Sequence, residues 1–396
     1  MNNNSFKIKL INCLAGLVGF SQALLVYIAS SYFKEASGRE DVSIFYLVSY
    51  LVVFLVLLNF HKLVKIFGKS IILYIAIMGE ITTIAVLLFS DNAWLSLSAL
   101  IANLIFESIV NVCLDIMLET FSQDNNSGRI RGSFLTILNV GFIAGPLLST
   151  SILSRYDFSG IFLTLLIMKS IYLAIAFWGL NNINHDYNGH TTIRGLFKKV
   201  WRRKNILRIY YVSFALEFFY ALMIIYSPIY LRGIGISWED IGFMFTIMLI
   251  PFLFFEYPLG WLADKKWGEK EMIIYFLCWI SISTLMVYLI DTKEILIWTA
   301  LLLSTRIGAA SIQILRDSYF YKKINKEDID LINFFRTAAP AGYVVGSIFS
   351  VIIINYFSVK EVFLLIAIMT CSALWPAFSL RDNLSEADKK LQRVLV

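Results

Sequence analysis

The chain has 396 residues, of which 58% are hydrophobic and only 16% are charged, with a mean hydropathy of +0.72. Soluble domains carry about 25% charged residues, so this composition excludes an ordinary water-soluble globule. The formal net charge of +6 does not by itself indicate a nucleic-acid partner, because the positions of the charges matter more than their sum.

Twelve apolar segments are long enough to cross a bilayer, since a spanning helix needs about 20 apolar residues. The first six are predicted at 10–32, 43–60, 71–90, 94–121, 133–154 and 161–180. The second six are predicted at 206–231, 241–262, 272–290, 295–320, 331–357 and 361–379. The first segment is longer than the core of a signal peptide, so we expect it to be retained as a helix.

A polar and basic segment at 181–205 separates two apolar halves of the chain. The predicted organisation is an N-terminal six-helix bundle at 1–180, a cytoplasmic linker at 181–205, a C-terminal six-helix bundle at 206–380 and a cytoplasmic tail at 381–396. The fold class is therefore an all-α membrane protein with twelve transmembrane helices in two pseudo-repeat bundles.

Lysine and arginine residues concentrate in alternate loops, which sets the predicted orientation. The loops rich in lysine and arginine include both termini, the segment at 181–205 and clusters such as Lys62, Lys65 and Lys69. We therefore expect both termini to be cytoplasmic and the protein to be multi-pass in the plasma or inner membrane. The basic segment then contacts lipid headgroups rather than nucleic acid.

The two halves repeat each other at an offset of about 200 residues. "GFIAGPLLS" (Gly141–Ser149) matches "GYVVGSIFS" (Gly342–Ser350), and "KIFGK" (Lys65–Lys69) matches "KKWGEK" (Lys265–Lys270). Each half has an even number of predicted spans, so the repeats share one orientation. Parallel repeats of this kind place a substrate site between the halves, near the middle of the membrane.

Ionisable residues within the predicted spans are the candidate functional groups, because a charge at mid-membrane costs at least ~2.5–3.5 kcal/mol. In the fourth span, polar residues recur every four positions and so share one helix face: Asn103, Glu107, Asn111, Asp115 and Glu119. That face must contact protein or a water-filled cavity. Glu107 lies near the middle of the span and is a candidate for proton exchange.

Polar faces also occur in the first, seventh and tenth spans. The predicted substrate and proton pathway combines them with the fourth span and comprises Gln22, Asn103, Glu107, Asn111, Glu217, Tyr220, Arg306 and Gln313. Glu107 and Glu217 are the expected proton or substrate carboxylates, with Arg306 as their counter-charge. The alternative is a buried structural network of ion pairs. For Glu80 and Lys169, whose spans are otherwise almost wholly apolar, a structural role is favoured over a functional one.

Two motifs resemble those of the major facilitator superfamily of secondary transporters, and the likeness covers nearly the whole chain. "GWLADKKWGEKE" (Gly260–Glu271) resembles the superfamily's loop signature, with one extra residue between Asp264 and Gly268. The spaced series Gly132, Gly141, Gly145 and Pro146 resembles the glycine–proline motif of exporters and antiporters.

The resemblance implies that Asp264 helps to latch the two halves near Arg131. Small residues also permit close helix approach, and a proline bends a helix. The complete predicted gate or latch set is Asp115, Arg131, Gly141, Gly145, Pro146, Gly260, Asp264, Gly268 and Arg336. Two features depart from the exporter pattern: Ser149 and Thr150 end the glycine–proline motif, and the fourth span contains no arginine.

The leading hypothesis is proton-coupled export of an amphiphilic or aromatic compound by alternating access. The alternative is a proton-coupled symporter that imports a sugar, peptide or organic anion. A third hypothesis is a membrane scaffold or sensor that does not transport. The sequence contains no phosphate-binding GxxxxGK[ST], no metal-ligand spacing and no nucleophile cluster, so we predict neither an enzyme nor an ATP-driven pump. Expected partners are a small-molecule substrate and the bilayer, with no metal or cofactor and a monomer as the functional unit.

Overall fold

The computed structural model describes residues 3–121, 127–180, 199–255, 258–259, 262–263, 268–324 and 329–381, and within these ranges it contains helices and no strand. Of the predicted latch residues, Gly260 and Asp264 lie outside the described ranges, and so does the side chain of Arg131. Most of the predicted linker and nearly all of the predicted tail also lie outside them.

The helices of the first half include four of more than twenty residues. In chain order they are α1 (Asn3–Val26), α2 (Ala29–Ser37), α3 (Ser43–Leu58), α4 (Phe60–Phe67), α5 (Lys69–Phe89), α6 (Ala93–Phe121) and α7 (Ser127–Gly179). The helices of the second half are α8 (Lys204–Gly233), α9 (Trp238–Phe254), α10 (Glu269–Leu289), α11 (Ile295–Lys322), α12 (Ile329–Arg336), α13 (Ala338–Tyr356), α14 (Lys360–Ser372) and α15 (Leu374–Phe378).

Nine stretches of the described chain are long and apolar enough to cross a membrane. The predicted second and eighth spans correspond to shorter helices, α3 with 16 residues and α9 with 17. The predicted fifth and sixth spans run together in α7, where Asp157 leaves the helical conformation (φ 54°, ψ −165°). The count of twelve spans therefore stays a prediction, as does the cytoplasmic placement of the termini.

The chain divides into two compact units. Unit 1 comprises Met1–Asn188 and Ser227–Thr246, and unit 2 comprises Gly189–Tyr226 and Ile247–Val396. Helices α8 and α9 are therefore each divided between the units. Within unit 1, α1 packs along α7 and α5 packs on α6 and α7; within unit 2, α10 packs on α11 and α14. The bundle limits of 180 and 206 remain a sequence prediction.

The glycines that precede α5 and α10 have nearly the same backbone conformation, 200 residues apart. Gly68 has φ 77° and ψ 160°, and Gly268 has φ 72° and ψ 162°. Each glycine precedes a helix of 21 residues. Because side chains disfavour positive φ, glycine is the residue that this turn requires. The repeat that the sequence indicates at these positions is thus a repeat of backbone geometry.

The residue that follows each of these two glycines carries a buried charge, and the two charges have opposite signs. Lys69, 6% exposed, donates from Nζ to Thr120 Oγ1 at 2.7 Å. Glu269, fully buried, accepts from Ser318 Oγ at 2.8 Å and pairs with Lys322. One backbone position of the repeat therefore accommodates either sign of charge, provided that the neighbouring helix supplies a partner.

The glycines of the matching "GFIAG" and "GYVVG" segments lie where two helices approach closely. A Cβ atom added at Gly141 would lie 2.4 Å from the carbonyl oxygen of Gly16, and one added at Gly342 would lie 2.8 Å from the backbone of Glu217. The first contact lies where α1 crosses α7 in unit 1, and the second lies where α8 crosses α13 in unit 2. Small residues at the crossings therefore set the helix separation. A gating role for Gly141, Gly145 and Pro146 stays a prediction.

We predict that Gly145→Ala destabilises the protein by about 1–3 kcal/mol, as overpacking does, whereas the matched Gly346→Ala has little effect. A Cβ added at Gly145 would lie 2.1 Å from Ala23 Cβ, but one added at Gly346 would meet Leu222 at an ordinary 3.4 Å. The measurement is thermal unfolding of each purified variant in one detergent. Equal losses at the two positions would contradict this account of the crossings.

Candidate functional site

A buried ion pair joins α5 to α7 in unit 1. Lys169 Nζ lies 2.9 Å from Glu80 Oε1, and each side chain is only 1% exposed. The hydroxyl of Tyr172 donates to the other carboxylate oxygen of Glu80. Lys169 and Tyr172 are three residues apart on one face of α7, so both reach the same carboxylate. The structure pairs Glu80 with Lys169, which the sequence analysis did not predict, and the structural role that the sequence favoured for them stays a prediction.

Asn103 connects the same cluster to α6. It is fully buried, and its Nδ2 donates to Thr83 Oγ1 at 2.9 Å and to the backbone oxygen of Glu80 at 3.4 Å. Thr83 Oγ1 in turn donates to the Glu80 backbone oxygen at 2.9 Å. One turn of α5 is thereby fixed against α6 at the level of the ion pair.

Glu107 is the second carboxylate of the cluster. It lies one turn beyond Asn103 on α6 and is half-buried. Lys169, Glu80 and Tyr172 all interact with it electrostatically. Within the described part of the chain, however, Glu107 makes no hydrogen bond and no ion pair. Two carboxylates thus share one ammonium group, and Glu80 holds it directly.

The other predicted polar residues of unit 1 lie outside this direct network. Gln22 on α1 is 6% exposed, and its Nε2 has no hydrogen-bond partner among the described residues. Asn111 and Asp115 continue the α6 stripe and are half-buried. Asn103 and Glu107 thus lie in or beside one cluster, and the pathway or gate roles of Asn103, Glu107, Gln22, Asn111 and Asp115 all stay predictions.

In unit 2 the counter-charge of Glu217 is Arg316. Arg316 Nη2 lies 2.7 Å from Glu217 Oε1, and Nη1 donates to Ser213 Oγ at 2.7 Å. Asp317 lies 3.4 Å from Arg316 Nε. The sequence prediction that Arg306 serves as the counter-charge is wrong for Glu217, because α8 and α11 pack in a register that brings Glu217 level with Arg316. Arg306 is ten residues, or about 15 Å of helix, away from that position.

Arg306 is buried against aromatic rings instead. It is 2% exposed, and its Cζ lies 5.3 Å from the ring centroid of Phe219 and 5.5 Å from that of Tyr220. Its Nε and Nη2 have no hydrogen-bond partner in the described part of the chain. No carboxylate among the described residues lies within ion-pair distance of it. Cation–π contact therefore compensates the buried charge only in part.

Tyr220 and Gln313 form the remaining contact of the predicted pathway in unit 2. The Tyr220 hydroxyl donates to Gln313 Oε1 at 3.0 Å, and both side chains are half-buried. The Tyr220 ring also lies 6.2 Å from that of Phe252 on α9. Four of the predicted pathway residues therefore lie in unit 2, where Tyr220 links Arg306 to Gln313 and Glu217 occupies the adjacent turn of α8.

The predicted gate residues are scattered in the described chain. Gly268 occupies the turn before α10, Pro146 accepts hydrogen bonds from Ser149 and Thr150 within α7, and Arg336 is half-buried at the end of α12. None of these contacts shows whether the residues act as a gate or latch, so that role stays a prediction.

Sequence reasoning missed three partners: Lys169 and Tyr172 for Glu80, and Arg316 for Glu217. One signal was present for the first cluster: Glu80 and Lys169 are lone opposite charges in neighbouring apolar spans, and buried charges occur in pairs.

Comparison with known proteins agrees with this architecture. The family model of the Major Facilitator Superfamily matches residues 11–328 and 235–394. A crystal structure of the nucleoside transporter NupG is similar, with a TM-score of 0.72 and 13% identity over 94% of this chain and 99% of that one. At that identity the likeness concerns the fold alone. No curated protein matches the chain.

The matched residues span most of the chain, and the superfamily consists of membrane transporters. As its loop and glycine–proline motifs predicted, this chain belongs to the Major Facilitator Superfamily and is a multi-pass secondary transporter rather than an enzyme.

Proposed function

We propose that this transporter exports an amphiphilic or aromatic compound in exchange for protons, and that Glu107 is the proton carrier. The observation that carries the proposal is the charge imbalance of unit 1, where Glu80 and Glu107 share the single ammonium group of Lys169. Glu80 is already satisfied by Lys169 and Tyr172. If Glu107 is ionised, the cluster carries one net negative charge in a low-dielectric medium.

Protonation of Glu107 removes that excess charge without breaking the Glu80–Lys169 ion pair. An uncompensated charge at mid-membrane costs at least ~2.5–3.5 kcal/mol, so the neutral and ionised forms of Glu107 differ in their preferred surroundings. A conformational change that alters access to Glu107 would therefore couple to proton uptake and release. The half-buried position of Glu107 is compatible with such exchange.

The fold does not require an ion pair such as Glu80–Lys169 where α5 packs on α7. In unit 2, the positions 201 residues later are Ser281 and Thr370, whose hydroxyl oxygens are joined by a 3.0 Å hydrogen bond between α10 and α14. An uncharged link therefore holds the same pair of helices in the repeat. The charges of Glu80 and Lys169 thus call for a reason other than helix packing, and setting the charge balance of Glu107 is that reason.

Export is the proposed direction because the series Gly132, Gly141, Gly145 and Pro146 resembles that of exporters. The energy source is the proton gradient, with no cofactor, and we propose a monomer in the plasma or inner membrane as the working unit. The second candidate is an importing symporter for an organic anion. The specific observation that favours it is Arg306, a buried guanidinium without an anionic partner among the described residues.

We predict that Lys169→Met costs about 3–5 kcal/mol of stability, because it leaves the Glu80 carboxylate buried without a counter-charge. The double variant Glu80→Gln/Lys169→Met should recover most of this loss, since no charge then remains at the link. Thermal unfolding followed by circular dichroism measures both effects. A double variant as unstable as Lys169→Met would attribute the loss to packing and contradict the charge argument.

We predict that Glu107→Gln abolishes proton-driven export while the protein still folds. The assay is retention of two amphiphilic aromatic dyes, cationic ethidium and anionic anilinonaphthalene sulfonate, in efflux-deficient bacteria with and without a protonophore. Cells with the native chain should retain less of at least one dye, and both the protonophore and Glu107→Gln should remove the difference. The matched control, Glu294→Gln, changes an exposed carboxylate before α11 and should export normally.

Two outcomes of the dye experiment would contradict the proposal. Export by Glu107→Gln at the native rate would remove Glu107 from the mechanism, and export insensitive to the protonophore would remove the proton gradient. Retention equal to that of empty-vector cells for both dyes would favour the importing symporter, which accumulation of a labelled organic anion would then identify.

A further inference from the structure

We propose that Arg306 is the anchor of a substrate site in unit 2, and that the site takes a small planar organic anion through its carboxylate. The proposal deepens the function proposed above by naming the substrate class, and it rests on that function in assigning the site to transport. It stands on the geometry of Arg306, Phe219, Tyr220 and Gln313 rather than on the direction or energy source of transport.

The first argument is the unmatched charge. Arg306 is 2% exposed, and within the described residues neither an ion pair nor a hydrogen bond to its Nε or Nη2 balances the guanidinium. Glu217, two residues before Phe219 on α8, already pairs with Arg316 at 2.7 Å. Buried charges in proteins are normally paired, and ionisable groups within membranes mark pathways of substrates or ions. The missing partner of Arg306 is therefore expected from a ligand.

The second argument is the arrangement of the open donors. Nε and Nη2 lie side by side on one edge of the guanidinium plane, and that edge matches the two oxygens of a carboxylate in a bidentate contact. The ring centroids of Phe219 and Tyr220 lie 5.3 and 5.5 Å from Cζ, and these contacts restrain the guanidinium. A rigidly held fork of this kind recognises a carboxylate better than a flexible ammonium group would.

The third argument concerns the rest of the ligand. Tyr220 donates to Gln313 Oε1 at 3.0 Å, which orients the Gln313 amide and leaves its nitrogen as a further donor toward the ligand. The ring of Tyr220 lies 6.2 Å from that of Phe252, and both rings are half-buried. An apolar, planar group attached to the carboxylate would contact these rings. Small hydrophilic anions such as chloride would leave them unused.

The test measures binding to the purified full-length chain in lipid nanodiscs, without any ion gradient. The probes are two matched pairs, benzoate with benzamide and naphthoate with naphthamide, together with chloride alone. We expect at least one acid to raise the unfolding temperature in a saturable manner, while its amide and chloride do not. The variant Arg306→Gln should lose this effect, with an apparent Kd at least tenfold weaker, and Arg306→Lys should lose most of it.

Two controls separate a binding role from a structural one. Arg208→Gln removes an arginine of α8 that contacts the Ser379 backbone oxygen and Asn205, and this variant should bind the acid normally. Without ligand, Arg306→Gln should be at least as stable as the native chain, because it removes a buried charge that lacks a partner. A marked loss of stability on that change would mean that Arg306 is structurally satisfied, and it would overturn the proposal.

The remaining outcomes are equally decisive. Equal binding of acid and amide in both pairs, no binding of either acid, or acid binding that survives Arg306→Gln would each overturn the proposal. If chloride stabilised the protein as much as the acids do, the site would be a simple anion site, and the proposed substrate class would be overturned. Because no gradient is present, failure here leaves the role of Glu107 standing, and loss of proton coupling in cells leaves this binding site standing.

Discussion

The structure depends on one constraint: a charge within a membrane must be matched nearby, because the surroundings cannot solvate it. Unit 1 meets this constraint with Lys169, which neutralises Glu80 at 2.9 Å and also acts on Glu107. Unit 2 meets it at Glu217 with Arg316, but leaves Arg306 to two aromatic rings. The residues to which we assign transport roles are those at which the match is incomplete, with one carboxylate too many in the first unit and one guanidinium too many in the second.

Much of this architecture follows from composition and periodicity. The apolar runs gave the helices, and the four-residue spacing from Asn103 to Glu107 placed those side chains on one face of α6. The glycine positions were also predictable, because the offset of about 200 residues recurs in the loops at Gly68 and Gly268. Both signals are local, since they depend on residues that are neighbours in sequence or on a repeated segment.

The partners of the charges were harder to predict, because they depend on the register between helices. Arg306 and Arg316 are both arginines of α11, and only the packing of α8 against α11 decides which of them meets Glu217. Likewise, Glu80 and Lys169 are 89 positions apart, and the sequence carries no signal of their contact except the opposite signs of their charges. Helix boundaries inside long apolar stretches were uncertain for a related reason, since α7 continues past the predicted end of the fifth span as far as Gly179.

The inverted charges of Lys69 and Glu269 have a consequence for how such a protein can evolve. The same turn and the same helix length carry a cation in one unit and an anion in the other, each satisfied by its own neighbouring helix. Because the scaffold is duplicated, substitutions can change the charges of one copy while the other copy keeps its own. On the roles proposed for Glu107 and Arg306, descendants of this chain could acquire a new cargo through substitutions in unit 2 alone, with the ancestral driving force preserved in unit 1.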